Sequence, residues 1–310
     1  MNNKSKTKEL TSSDRARAIV SFYKFGRKYP HFWREIQAHI SFSNMFDCIQ
    51  LFSDHLDFSD IDKVKTWIEI ALKDLSAARK LYKAEDGLAL YHLQQGIEKI
   101  FKATLIYTGF KNETSVVALN HKPQEFVVEL LEMPAFNELL GEGFPFKGIK
   151  RPKKPTKEEI KIVKNELTSK NKEVALDQGD SHIKFISHLL VTPNPILYNP
   201  KKIGDMVLDT LEKLIPPKEL RRFSKEIATK DLSFEDIIYY VSNDFFILIN
   251  MTLILLPLST GIWAFESVPR YPDEMRLMKK DFQEYELHKA FYLIISHVEK
   301  FGEFFLKYVS

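Results

Sequence analysis

The sequence predicts an all-α protein built on an antiparallel four-helix up-and-down bundle, and three observations carry that expectation. Phenylalanine occurs 24 times against 11 glycines in 310 residues, a balance that suits long packed helices better than the many turns of a sandwich or barrel. Apolar residues recur at three- and four-residue steps in several long windows, the spacing of one helix face. Runs that alternate apolar and polar residues, as half-buried strands require, do not stand out anywhere in the chain.

The elements follow in order. Residues 1–60 form an N-terminal helical extension, with short helices from about Thr11 to Leu56 broken at Tyr29-Pro30 and around Ser41 to Asn44. Its aromatic residues, among them Phe22, Phe25, Phe32 and Trp33, require it to dock on the main body, because short apolar helices do not stand alone in water. Residues 61–132 supply the first part of the bundle. From about Asp62 to Lys83, Val64, Ile68, Ala71, Leu72, Leu75, Ala78 and Leu81 line one face. Asp86 is placed to cap the next helix, whose seam is Leu90, Leu93, Ile97, Ile100 and Thr104 and whose stop signal is Gly109.

Between 133 and 234 nine prolines punctuate the sequence, from Pro134 to Pro217. Only short helices fit there, around Lys157 to Ser169, Ile203 to Leu214 and Lys218 to Thr229, so this stretch is expected to be an inserted subdomain. Residues 235–310 complete the bundle. The apolar run Phe245 to Phe265 approaches membrane-spanning length, but Asn250, Thr252 and Pro257 interrupt it, and a core helix ended or kinked at Pro257 is expected. From about Asp281 to Tyr308, Leu287, Phe291, Ile294, Val298, Phe301, Phe305 and Tyr308 alternate in steps of four and three, the seam of a packed bundle.

The formal net charge of +3 is too small to name a partner. A single cysteine, Cys48, excludes an intramolecular disulfide and a cysteine-rich zinc cluster and fits a reducing compartment. The polar start MNNKSKTKELTSSD lacks a secretory core, so a cytoplasmic location and no membrane partner are expected. Phosphate-loop, dinucleotide-glycine and HExxH patterns are missing, as is a Gly-Ser with Asp-x-Asp, and no cofactor or metal is expected. The stretch Lys147 to Lys172 holds ten basic residues against three acidic ones, which suits either phosphate contacts or a solvated surface.

The segment from Ile68 to Gly109 resembles the first two helices of HEPN domains, through Asp74, Leu75, Ala78, Leu81, Tyr91, Gln94, Gln95, Glu98, Lys99, Lys102, Ala103 and Gly109. Asn120-His121 resembles the opening of the third helix of that family, and Val268 to Asp273, VPRYPD, looks like the ARYPD motif before the fourth. The pieces occur in family order and cover roughly half the chain. The resemblance implies a HEPN-like bundle, nucleotide or RNA as ligand, a homodimer, and work beside a nucleotidyltransferase partner, in some cases in toxin–antitoxin or defence settings.

On an ideal helix Gln95, Lys99 and Lys102 share a face roughly opposite Leu93, Ile97 and Ile100, and are expected to point outward. Such a lysine row could hold phosphate while Gln95 reads a base edge; the alternative is a solvated face with a Glu98–Lys102 pair. Arg270 and Tyr271 offer a guanidinium and a ring beside Pro272, a platform for phosphate and base, or else a turn in which Arg270 pairs with Asp273 or Glu274. With His121 these complete the candidate ligand-binding set.

Many HEPN proteins are metal-independent RNases that use an Arg, four to six residues, then a His as acid or base at the ribose hydroxyl. Here the first histidine after Arg270 is His288, so that motif is absent from its expected place and no catalytic residue is assigned there. An Arg-x4-His match does occur at Arg34 and His39, outside the resembling segments, where a structurally satisfied pair is the competing reading. The expected function is therefore nucleotide or nucleic-acid binding without intrinsic RNase activity. An RNase and a helical protein–protein interaction module stand as the alternatives.

Overall fold

The computed structural model describes residues 61–84, 86, 88–109, 111–119, 172–191, 199–228, 233–266 and 282–310, with scattered positions between 18 and 35 and residues 158 and 161. Among these the chain is all-helical. Helix α1 spans Ile61–Lys83, α2 Leu88–Tyr107, α3 Glu113–Ala118, α4 Lys172–Val191, α5 Pro200–Leu214 and α6 Pro217–Ile227. Helix α7, Phe234–Asn250, runs through a π-helical turn, Met251–Leu255, into α8, Leu256–Glu266, and α9 is Glu286–Val309.

The expected seams are the observed core. Val64, Ile68, Ala71, Leu75 and Ala78 of α1, Leu90, Leu93, Ile97, Ile100 and Thr104 of α2, and Leu287, Phe291, Ile294, Val298, Phe301 and Phe305 of α9 are buried, while Leu72, Leu81 and Tyr308 of the same seams are half-buried against them. Asp86 starts α2 by accepting from the Leu88 amide at 2.9 Å, and Gly109 beyond its end takes φ 72°, the left-handed geometry that closes helices. Helix α1 runs antiparallel to both α2 and α9. Against α9, the Tyr82 ring stacks on Phe291 at 3.6 Å, while Gly302, near the far end, lies against Leu72 and Ile100.

Helix α4 departs from the expectation of short helices only. It is 20 residues long and packs extensively along α8 and α9, with the Asp180 carboxylate accepting from the Glu286 amide at 2.7 Å. The prolines at 193, 195 and 200 lie beyond its end, so proline density across the region concealed an uninterrupted helical stretch. Its apolar pattern is carried by only a few buried residues, Leu176, Ile183, Ile186 and Leu190.

At Pro257 the helix does not end but continues through the proline. The π turn lies immediately upstream, where the Leu256 amide reaches back five residues to the Met251 carbonyl. This wide turn shifts the carbonyls that a pyrrolidine ring would strike in a regular helix, and Pro257 then sits in the first turn of α8, where its missing N–H costs little. The stretch Phe234–Trp263 is apolar and long enough to cross a membrane by composition, and 72% of its most apolar window is buried inside the molecule.

The described N-terminal residues dock on the main body. Phe25 stacks on Phe223 of α6 at 3.9 Å, and Phe22 packs between Phe32, Phe223 and Phe245. Helix α5 lies along α7 at Gly204, where an added Cβ would meet the Tyr239 ring at 2.4 Å.

Candidate functional site

Helix α2 lies between α1 on one side and α8 with the π turn on another, so almost its whole circumference is enclosed. This overturns the expectation of an outward lysine row. Gln95 is 7% exposed and Lys102 6%, with Gln94 and Glu98 more deeply buried still. A helix surrounded in this way keeps only a narrow exposed edge, and its buried polar residues must satisfy one another inside.

They do so in a continuous chain. Lys102 Nζ pairs with Glu98 Oε1 at 2.6 Å and lies 5.7 Å from the centre of the Trp67 ring. The other Glu98 oxygen accepts from Gln94 Nε2 at 2.6 Å, and Gln94 Oε1 accepts from Gln95 Nε2 at 2.6 Å. Gln95 Oε1 in turn accepts from Lys99 Nζ at 3.1 Å, and Lys99 bonds Asp74 Oδ2 of α1 at 2.6 Å. Asp74 Oδ1 closes the chain on His92 Nδ1 at 3.1 Å.

Gly96 makes this crossing possible. An added Cβ there would stand 2.7 Å from the Leu75 side chain and 3.2 Å from the Ala71 carbonyl oxygen, so α1 and α2 meet at nearly backbone distance. Close approach brings the Asp74 carboxylate from α1 within reach of both His92 and Lys99 on α2.

One end of the chain is sealed and the other opens. The Lys102 and Glu98 side chains are 8% and 5% exposed, whereas Lys99, Asp74 and His92 are 20%, 18% and 30% exposed. Solvent therefore reaches the chain at the His92–Asp74–Lys99 edge and not along the whole row. Of the expected ligand-binding residues, the structure brings Gln95, Lys99 and Lys102 into one network. His121, Arg270 and Tyr271, like Arg34 and His39, lie outside the described residues.

Sequence reasoning did not single out His92, nor Asp74 as its partner in a site. The signal was present: His92, Gln95, Lys99 and Lys102 follow one another in steps of three and four, a single helix stripe. Among the described residues no group of His, Cys, Asp and Glu side chains is arranged to hold a metal ion.

Two further buried polar contacts join helices in the core. The Tyr107 and Tyr308 hydroxyls both donate to Asp244 Oδ1, at 2.5 and 2.9 Å, tying α2 and α9 to α7. His297 Nε2 lies 2.8 Å from Asn250 Oδ1, at the residue where α7 enters the π turn. Burial, with a smaller contribution from nearby Lys300, pushes the His297 imidazole down to about 4.

Residues 64–133 match the family model of the HEPN domain, in agreement with the resemblance carried by α1 and α2. No curated protein and no solved structure matches the chain.

Proposed function

We propose that this HEPN-domain chain binds the phosphate of a nucleotide or RNA at the His92–Asp74–Lys99 edge. The observation that carries the reading is Lys99 held between Asp74 and Gln95 beside His92, at the one point where an otherwise sealed polar chain reaches solvent. Buried ion pairs of this kind contribute little net stability compared with apolar packing, so a stripe of them is better explained by positioning than by folding. Asp74 and Gln95 fix the Lys99 ammonium in place, and an incoming phosphate oxygen finds that donor and the imidazole already oriented. Nucleotidyl transfer, where it is involved, would come from a partner protein.

The test is calorimetric titration of the full chain with ATP and with a short single-stranded RNA. Lys99→Ala is expected to weaken binding about tenfold or more, since a hydrogen bond to a charged group contributes roughly 1.5–3 kcal/mol. Affinity unchanged in a folded Lys99→Ala, His92→Ala double variant would reject the site.

A second reading, metal-independent RNA cleavage, is favoured by one specific contact. Asp74 on Nδ1 of His92 fixes the ring's orientation, an arrangement suited to general acid–base work. Labelled RNA incubated in EDTA decides it: cleavage lost in His92→Gln supports this role, and cleavage that persists there excludes the residue.

A further inference from the structure

Helix α6 carries a charge pattern that neither the bundle nor the polar chain of α2 uses. Within its eleven residues, PKELRRFSKEI, Phe223 and Ile227 are buried against the body, while Lys218, Arg221, Arg222 and Lys225 are exposed. At 100° per residue these four cations fall within a sector of about 100° on the side away from Phe223 and Ile227, spread over about 10 Å of helix axis. None of the four makes an ion pair among the described residues.

One of the two acidic side chains flanking this face is already engaged elsewhere. Glu219 accepts from Lys28 at 3.1 Å and from the Tyr29 hydroxyl at 2.9 Å, both from the N-terminal extension. Its carboxyl is held below the ordinary range chiefly by the Lys28 and Tyr29 hydrogen bonds, with Arg222 adding to the effect. Glu226 is exposed at the margin. Next to the stripe, between α6 and the N-terminal extension, opens a cleft of about 250 Å³ with the Phe25–Phe223 stack in its wall and Lys28, Arg222, Glu219 and Glu226 around it.

We propose that the exposed face of α6 is a track for the phosphate backbone of single-stranded RNA, with the adjoining cleft receiving a base. Four cations in a row match a polyanion, and arginine guanidinium groups bond phosphate oxygens in a bidentate way. A membrane surface fits less well, because an interfacial helix needs large apolar side chains beside its cations and α6 exposes none. The proposal shares its ligand class with the reading of the α2 edge but places RNA contacts on a separate surface.

The experiment measures fluorescence polarisation of a labelled 20-nucleotide single-stranded RNA with the full chain over a series of KCl concentrations. It compares wild type with the Lys218→Glu, Arg221→Glu, Arg222→Glu, Lys225→Glu variant, with circular dichroism confirming the fold. Four neutralised phosphates predict a log–log salt slope shallower by about 3 in the variant than in wild type, with affinity at low salt lowered by about tenfold or more. ATP titration of the same variant is expected to be unchanged.

RNA binding with the same affinity and slope in both proteins overturns the α6 track while leaving the α2 edge standing. A wild type that binds ATP but not RNA does the same, and one that binds neither overturns both. Sedimentation with phosphatidylserine vesicles, in the absence of RNA binding, would assign the face to a membrane instead.

Discussion

The imidazole of His297 on α9 lies 2.8 Å from the Asn250 side-chain oxygen, where α7 passes into the π turn. Neutral His297 donates through Nε2, and Asn250 returns its amide to the Phe246 carbonyl at 2.9 Å, so the asparagine bridges its own helix and α9. Burial and the nearby Lys300 both oppose protonation of this imidazole.

The pH dependence of stability follows from that contact. The folded imidazole titrates at about 4 instead of 6.5, so between these values the unfolded chain binds the proton and the folded one does not. Stability therefore falls as pH drops from about 6.5 to about 4 and is fully restored above that window, an effect of about 3 kcal/mol from this group. Urea unfolding of wild type and His297→Gln at several pH values checks this, with the variant expected to show a shallower slope across the window. Equal slopes would count against it.

Gly96 gives a packing prediction. In Gly96→Ala the new methyl meets the buried Leu75 side chain at 2.7 Å, and overpacking of this kind costs about 1–3 kcal/mol, partly offset by the gain of about 1 kcal/mol in helix propensity. A net loss of stability is expected. Adding Leu75→Val should recover part of it, and a double-mutant cycle without coupling would show that α1 and α2 do not touch there.

The sealed end of the polar chain predicts an asymmetry. Lys102→Met leaves Glu98 buried without its ammonium partner and should cost about 3 kcal/mol or more, whereas Glu98→Gln, Lys102→Met together should cost less than the single change. Denaturant midpoints of the two variants measure it. A double variant less stable than Lys102→Met would contradict the pairing.

Tyr107 and Tyr308 test the tie between α2, α7 and α9. Removing one hydroxyl from a buried carboxylate costs about 1–3 kcal/mol, so Tyr107→Phe should destabilise measurably, and more than Tyr308→Phe, whose ring is only half-buried. Thermal melts of both variants give the comparison.

Much of the architecture could be read from the residues. The seams of α1 and α9 announce themselves because each faces the core along one stripe, one such stripe is visible on α2, and Asp86 and Gly109 mark the ends of α2 by ordinary cap chemistry. The surroundings of α2 could not be read, because periodicity locates one buried stripe and does not show how many neighbours a helix has. Lys99 and Lys102 looked outward only on the assumption that the side away from the first seam was wet; α8 and the π turn cover part of that circumference, and the polar residues turn to each other. Helix α4 was concealed by averaging over a proline-rich region, and the passage through Pro257 depended on a π turn for which sequence patterns carry no signal.

The position of α4 has a practical consequence for anyone shortening the protein. A version that joins residue 132 directly to 235 would look economical from the sequence. It would instead strip a whole wall from α8 and α9, take away the buried Ile183, Ile186 and Leu190 with nothing to fill their place, and remove the carboxylate that holds the start of α9. The stretch that reads as dispensable is part of the masonry.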